Sequence, residues 1–214
     1  MKSAGQGTVM YGRKAGERDS DKMFEIKRQL AHLTLGLSIA AAVFFLEPVY
    51  GKLIIIPLLM GVSVLIILPE LGAELKVHNH LLFHFERPKD IEHFPYRGAI
   101  LYGIGITPAI LLLDVNTACA IIAVLSVGDS ASTLIGRSCG KHRVGHKSIE
   151  GFIGFIVFSF FGAWLFLQND PLAAVTYAVV GGFIELSNVG SDHILLDDNL
   201  IIPLGLTIFT LLIF

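Results

Sequence analysis

Thr117-Ala118-Cys119-Ala120-Ile121-Ile122-Ala123-Val124-Leu125-Ser126-Val127-Gly128-Asp129-Ser130-Ala131-Ser132-Thr133-Leu134-Ile135 decides how this chain folds. The apolar part, Thr117–Val127, is about 11 residues, roughly 16 Å as helix, and falls well short of a hydrocarbon core about 30 Å thick. It spans only by continuing through Gly128-Asp129-Ser130 to about Ile135. That continuation puts Asp129 inside the membrane zone. A carboxylate there costs about 2.5–3.5 kcal/mol on the insertion scale, so it is expected to face a polar cavity. An intramembrane ionisable residue is a candidate functional group for that reason.

The rest of the chain supports a membrane setting. Of 214 residues, 53% are hydrophobic and 16% charged, with a mean hydropathy of +0.69, too apolar for an ordinary soluble domain. Apolar runs recur at Leu30–Leu46, Leu53–Leu68, Gly98–Leu113, Thr117–Ile135, Gly151–Leu167, Leu172–Leu186 and Leu200–Phe214. Each spans roughly 22–28 Å as helix, short but usable. The expected fold is all-α: a polytopic helical membrane protein with about seven transmembrane helices and a cytoplasmic N-terminus. Residues 1–24 read as a polar, disordered cytoplasmic tail, and 25–214 as a single helical membrane domain. Cys119 and Cys139 do not form a disulfide framework.

Charge placement orients the spans. With the N-terminus inside, the inner segments hold every one of the 16 Lys and Arg residues except Lys52. The same topology gathers the polar clusters on the inner face. Arg28 and His32 open the first span, Glu86–Arg97 precedes the third, and Gly128–Gly151 joins the fourth to the fifth. Glu185, Asp192, Asp197, Asp198 and Asn199 join the sixth to the seventh. A reaction centre facing the cytoplasm follows from this distribution.

The Gly128–Gly151 block mixes glycines, cations, carboxylates and small hydroxyls, as phosphate handling requires. It carries no Walker A motif. Gly136-Arg137-Ser138-Cys139-Gly140-Lys141-His142 has one residue too few between its glycines and no Ser or Thr after the lysine. A nucleotide would therefore bind at the membrane surface rather than in a P-loop domain.

Four segments in order resemble the CTP-dependent lipid kinases, the family of dolichol kinase, phytol kinase and CTP-dependent diacylglycerol kinase. They are Arg28-Gln29-Leu30-Ala31-His32, Glu86-Arg87 through Tyr96-Arg97-Gly98-Ala99 with Tyr102 and Gly105, the Gly128–Gly151 block with Lys147-Ser148-Ile149-Glu150-Gly151, and Glu185 followed by Asp198-Asn199-Leu200 and Pro203. The resemblance covers most of the chain after residue 25. It implies phosphorylation of a membrane lipid hydroxyl by CTP with Mg²⁺, the first-choice acceptor being a polyprenol or dolichol-type alcohol. Phytol and diacylglycerol are the other acceptors in the class. The partners so implied are CTP, the lipid alcohol and the bilayer, with no nucleic acid. A CTP-dependent cytidylyltransferase and an ion-coupled small transporter are the alternatives.

Phosphoryl transfer then assigns roles. Asp129, Asp198 and Asn199 are the Mg²⁺ candidates, hard oxygen ligands suiting that ion. Lys147 is the preferred phosphate cation, with Arg137, Lys141, Arg28, His32 and Arg97 as further nucleotide contacts. Ser148 is either a nucleotide contact or a helix cap, and Asp198 is either a Mg²⁺ ligand or the cap of the seventh span. Asp129, Glu150 and Glu185 remain open as the base. His78, His80, His84 and His93 lack a recognisable ligand spacing and read as part of an amphipathic surface segment. Arg87 and Glu92 are candidate contacts to the nucleotide or lipid head group.

Overall fold

The structure, a computed structural model, describes residues 4–71, 82, 86, 91, 94–188 and 197–213, with side chains from residue 22 onward except Leu71. Arg87, Glu92, Asp192 and the four histidines at 78, 80, 84 and 93 lie outside the described residues.

The fold is helical. Helix α1 (Ala4–Tyr50) passes through a single 3-10 turn, Gly51–Ile54, into α2 (Ile55–Leu71). Then come α3 (Arg97–Leu112) and α4 (Val115–Cys139). A two-stranded hairpin follows, β1 (Arg143–Val144) and β2 (Lys147–Ser148), turning at Gly145 with φ 58°. The chain closes with α5 (Ile149–Trp164), α6 (Pro171–Ser187) and α7 (Asp198–Ile213). Each apolar run of the sequence coincides with one of these helices. For the tail expected at 1–24 the backbone differs from the expectation, because α1 is already helical at Ala4. Extending an existing helix costs far less than nucleating one, so polar residues can continue a stable span.

Helix α4 does run through Asp129 without a break. Asp114 caps its start, accepting the Asn116 and Thr117 N–H groups at 3.0 and 3.1 Å. It is the axis of the bundle, packing against α1, α3, α5, α6 and α7. Its apolar window is 67% buried, against 11% for the window in Lys22–Glu70. Small residues explain how so many neighbours fit. Ala118, Ala120, Ala123, Ser126 and Gly128 all lie buried along α4. A Cβ on Gly128 would meet the Phe155 ring at 2.7 Å.

The helices alternate in direction. Glu25 meets Arg137 and Ala40 meets Cys119, so α1 runs antiparallel to α4. Lys52 reaches the Leu113 carbonyl at 2.7 Å, while Tyr96 packs beside Leu65 and Leu68, so α2 opposes α3. Tyr177 meets Thr210 and Asn188 meets Asp198, so α6 opposes α7. One end of the bundle therefore collects the starts of α3, α5 and α7 with the ends of α4 and α6.

Two helical stretches, within Lys22–Glu70 and at Val115–Cys139, are long and apolar enough to cross a membrane; α3, α5, α6 and α7 are shorter apolar helices. Large apolar side chains face outward on the peripheral helices, among them Phe45, Val64, Phe161, Phe183 and Leu212. Contiguous apolar surface of this kind marks a surface that meets lipid or protein rather than water.

One contact tests the packing that positions α7. A Cβ on Gly105 would press into the Asn199 carbonyl oxygen and stand 3.1 Å from the Leu200 Cα. Backbone cannot swing aside, so Gly105→Val is expected to cost about 1–3 kcal/mol. Gly61 of α2 has nothing within 4 Å of such a Cβ. Gly61→Ala is expected to be neutral or stabilising by up to about 1 kcal/mol. Thermal unfolding of both variants in detergent checks the pair.

Candidate functional site

The site forms where the helix ends converge, and the hairpin delivers its central cation. Val144 pairs with Lys147 and Arg143 with Ser148. Ser148 is buried and caps α5, accepting the Gly151 N–H at 3.0 Å, and the Ile149 N–H bonds the His142 carbonyl at 2.9 Å. The backbone on either side of Lys147 is thus fixed.

From that base the Lys147 ammonium donates to Glu185 Oε1 at 2.7 Å and to Asp198 Oδ2 at 2.6 Å. Ser132, one turn along α4 from Asp129, donates to the same Glu185 oxygen at 2.7 Å. Asn188 donates to the other Asp198 oxygen at 2.7 Å. Burial alone would lower the Lys147 pKa. The attraction of Asp198, Glu185 and Asp129 outweighs it and holds the ammonium above the ordinary lysine value. Lysine, α4, α6 and α7 are joined at one point.

Three further groups surround it. Asp197 pairs with Arg97 at 3.2 Å and accepts the Asn199 backbone N–H at 3.1 Å, capping the start of α7. That leaves Asp198 for Lys147, although sequence alone allowed Asp198 itself as the cap. Glu25, buried, takes Arg28 at 2.6 Å and Arg137 at 3.2 Å, tying α1 to the end of α4. His32 Nε2 stands 3.8 Å from Asp129 Oδ2, and its ring meets Tyr102 edge-on.

The charges do not cancel. Among the described residues, Glu25, Asp129, Glu185, Asp197 and Asp198 face Arg28, Arg97, Arg137 and Lys147, with one carboxylate in excess. Buried Glu185 Oε2 and Asn199 Oδ1 accept no hydrogen bond among the described residues. An excess of anionic oxygen with unused acceptors is chemistry that fits a hard cation such as Mg²⁺. No group of three or more His, Cys, Asp or Glu among the described residues makes a preformed metal cage. Mg²⁺ uses few protein ligands and takes the rest from phosphate and water, so the set is compatible with it.

The candidates from sequence therefore separate. Asp129, Glu185, Lys147, Asp198, Asn199, Arg97, Arg28 and His32 converge. Ser148 is committed to its cap. Glu150 turns to His142, accepting its N–H at 3.2 Å and meeting its ring at 2.8 Å on the exposed side. Arg137 is held by Glu25, and Lys141 is exposed before the hairpin. Sequence reading passed over Ser132, Asn188, Glu25 and Gln29. Helical spacing was the available signal: Ser132 follows Asp129 by three, Asn188 follows Glu185 by three, and Glu25 precedes Arg28 by three.

Over 192 residues the chain is 31% identical to the uncharacterized protein MJ1137 of Methanocaldococcus jannaschii, a match covering 85% of this chain and 90% of that one. The chain belongs to that protein's family. No family model matches the chain, and no solved structure does.

The lysine junction makes a stability prediction. Lys147→Met leaves Glu185, 1% exposed, without its cation. A loss of about 3–5 kcal/mol is expected. Adding Glu185→Gln to that variant is expected to recover part of it, because a neutral amide tolerates burial. Thermal or denaturant unfolding of the two single variants and the double variant measures the coupling; purely additive effects reject the junction.

Proposed function

We propose that this protein is a membrane-embedded kinase that transfers the terminal phosphate of CTP to the hydroxyl of a lipid alcohol, most simply a polyprenol or dolichol-type acceptor. The observation that carries the reading is Lys147, held by Glu185 and Asp198 within electrostatic reach of Asp129 at one end of an apolar bundle. The ordered resemblance of the four sequence segments supplies CTP and the lipid. The geometry supports the choice by bringing residues from all four segments together.

In this reading the chain crosses the membrane seven times, with its N-terminus and the charged end in the cytoplasm. Helices of 16 and 17 residues span roughly 24–26 Å, adequate where the bilayer thins or side chains reach toward the interface. The outward apolar faces and the one-sided Lys and Arg distribution support it. The transporter reading needs a polar path to both faces, whereas the described charge cluster sits at one end.

Phosphoryl transfer needs little covalent chemistry from protein, mainly positioning and charge neutralisation. Lys147 exchanges its carboxylates for the phosphate oxygens of CTP. Asp198, released by that exchange, and Asn199, whose Oδ1 has no partner among the described residues, would hold Mg²⁺, which would supply further neutralisation of the phosphates. The acceptor oxygen bonds to the terminal phosphorus as the bond to the bridging oxygen breaks, and CDP leaves. The hydroxyl proton passes to a carboxylate. Glu150 is turned to His142 and Glu185 is bonded to Lys147 and Ser132. Asp129 makes no hydrogen bond among the described residues, so it takes the role of base.

Purified protein in detergent, with Mg²⁺, a mixed prenol and diacylglycerol pool and CTP labelled on its terminal phosphate, tests the reading. Label is expected in lipid, and chromatography identifies the acceptor. Asp129→Asn is expected to reduce transfer by about 10²–10⁴-fold while the protein stays folded. Label leaving as pyrophosphate, with the cytidylyl group on lipid, points instead to a cytidylyltransferase.

A further inference from the structure

The space between His32 and Asp129 is unusual. Two polar side chains from different helices aim at one another across 3.8 Å, too far for a hydrogen bond and near enough to share one small group. His32 Nε2 is buried with no hydrogen-bond partner. The His32 side chain keeps 18% exposure through its other atoms, and that of Asp129 keeps 16%. Tyr102 fixes the imidazole edge-on but does not fill the gap, because its hydroxyl is bonded to Ser126 at 2.8 Å. One turn earlier on α1, Gln29 Oε1 is a second buried polar atom without a partner among the described residues, and the Gln29 backbone carbonyl accepts from Ser130 of α4 at 3.2 Å. The seam between α1 and α4 is therefore polar and incompletely satisfied beside an exposed apolar surface that includes Leu30 and Leu35.

We propose that the gap between His32 Nε2 and Asp129 Oδ2 is the seat of an alcohol hydroxyl, with the lipid acceptor as its source. A hydroxyl both donates and accepts, so it can give its proton to the Asp129 carboxylate and accept from the imidazole N–H. A ketone or ether can only accept and leaves the carboxylate unserved. Leu30 and Leu35, exposed on α1 either side of His32 in sequence, offer the hydrocarbon chain apolar surface on the same helix. The inference rests on the kinase reading for the identity of the acceptor and transfers His32 from the nucleotide side of the site to the lipid side.

The ribose of CTP also carries hydroxyls, so the test measures both ligands. Full-length protein in detergent, without turnover, is titrated with a short-chain prenol, with its O-methyl ether and, separately, with Mg²⁺ and CTP. Wild type is expected to prefer the alcohol to the ether by about ten-fold, the worth of one hydrogen bond to a charged group. Asp129→Leu is expected to erase that preference, because it removes the acceptor of the alcohol proton, whereas His32→Leu is expected to weaken alcohol and ether alike and leave CTP affinity unchanged, with His32→Gln restoring part of the loss. Thermal unfolding confirms that each variant is folded. A preference that survives in Asp129→Leu, a His32→Leu variant that binds both ligands as wild type does, an alcohol that binds no better than the ether in wild type, or a loss confined to CTP overturns the proposal, the last assigning the seat to ribose. Because the readout is binding, a protein that shows the Asp129-dependent preference and the His32-dependent affinity yet transfers no phosphate retains the seat and rejects the kinase.

Discussion

One ammonium group ties the charged end of this protein together. Lys147 enters from a two-stranded hairpin and bonds simultaneously to α6 through Glu185 and to α7 through Asp198. Glu185 is in turn bonded to Ser132 of α4. An ion pair in so buried a place brings no large net stability, since desolvating the charges offsets their attraction. Its structural effect is selection. Only the arrangement that brings hairpin, α4, α6 and α7 to one point leaves neither Glu185 nor Lys147 unpaired.

The other pairs at that end do similar work on the remaining elements. Glu25 binds Arg28 of its own helix and Arg137 of α4, setting the register of α1. Arg97 and Asp197 join the starts of α3 and α7. Beneath these polar ties the apolar packing is dominated by α4, whose small residues admit close neighbours on several sides. Polar contacts choose the register, and apolar burial supplies the bulk of the stability. Asp129 sits on the same helix that carries the packing, so a candidate reactive group is mounted on a helix held by neighbours on several sides.

Much of this was legible in the residues. The positions of the helices follow the apolar runs, and the continuation of α4 through Asp129 follows from the shortness of Thr117–Val127. Convergence of Lys147, Glu185 and Asp198 was anticipated because each lies at the same end of its helix or loop. Partner choice was not legible. Nothing in the sequence says that Arg137 answers Glu25 while Lys147 answers Glu185, since the two cations lie ten residues apart in one polar segment and both carboxylates lie far away along the chain. Likewise Ser148 and Asp198 were each plausible caps. The fold gave capping to Ser148 and to Asp197, and so released Asp198, a decision made by the packing of α7 on α3 rather than by local preference.

The capped hairpin also dictates how the centre can move. Ser148 is locked by its bond to Gly151 and by burial, and Ile149 by its bond to His142. Lys147 thus hangs from a rigid gantry, free only in its own four-carbon arm. Taking up an anion at this centre needs a swing of that arm through a few ångströms, with no loop closure and no helix shift among the elements that hold it. Response to ligand is then governed by side-chain torsion, on the nanosecond scale of rotamer change rather than the slower scale of domain motion.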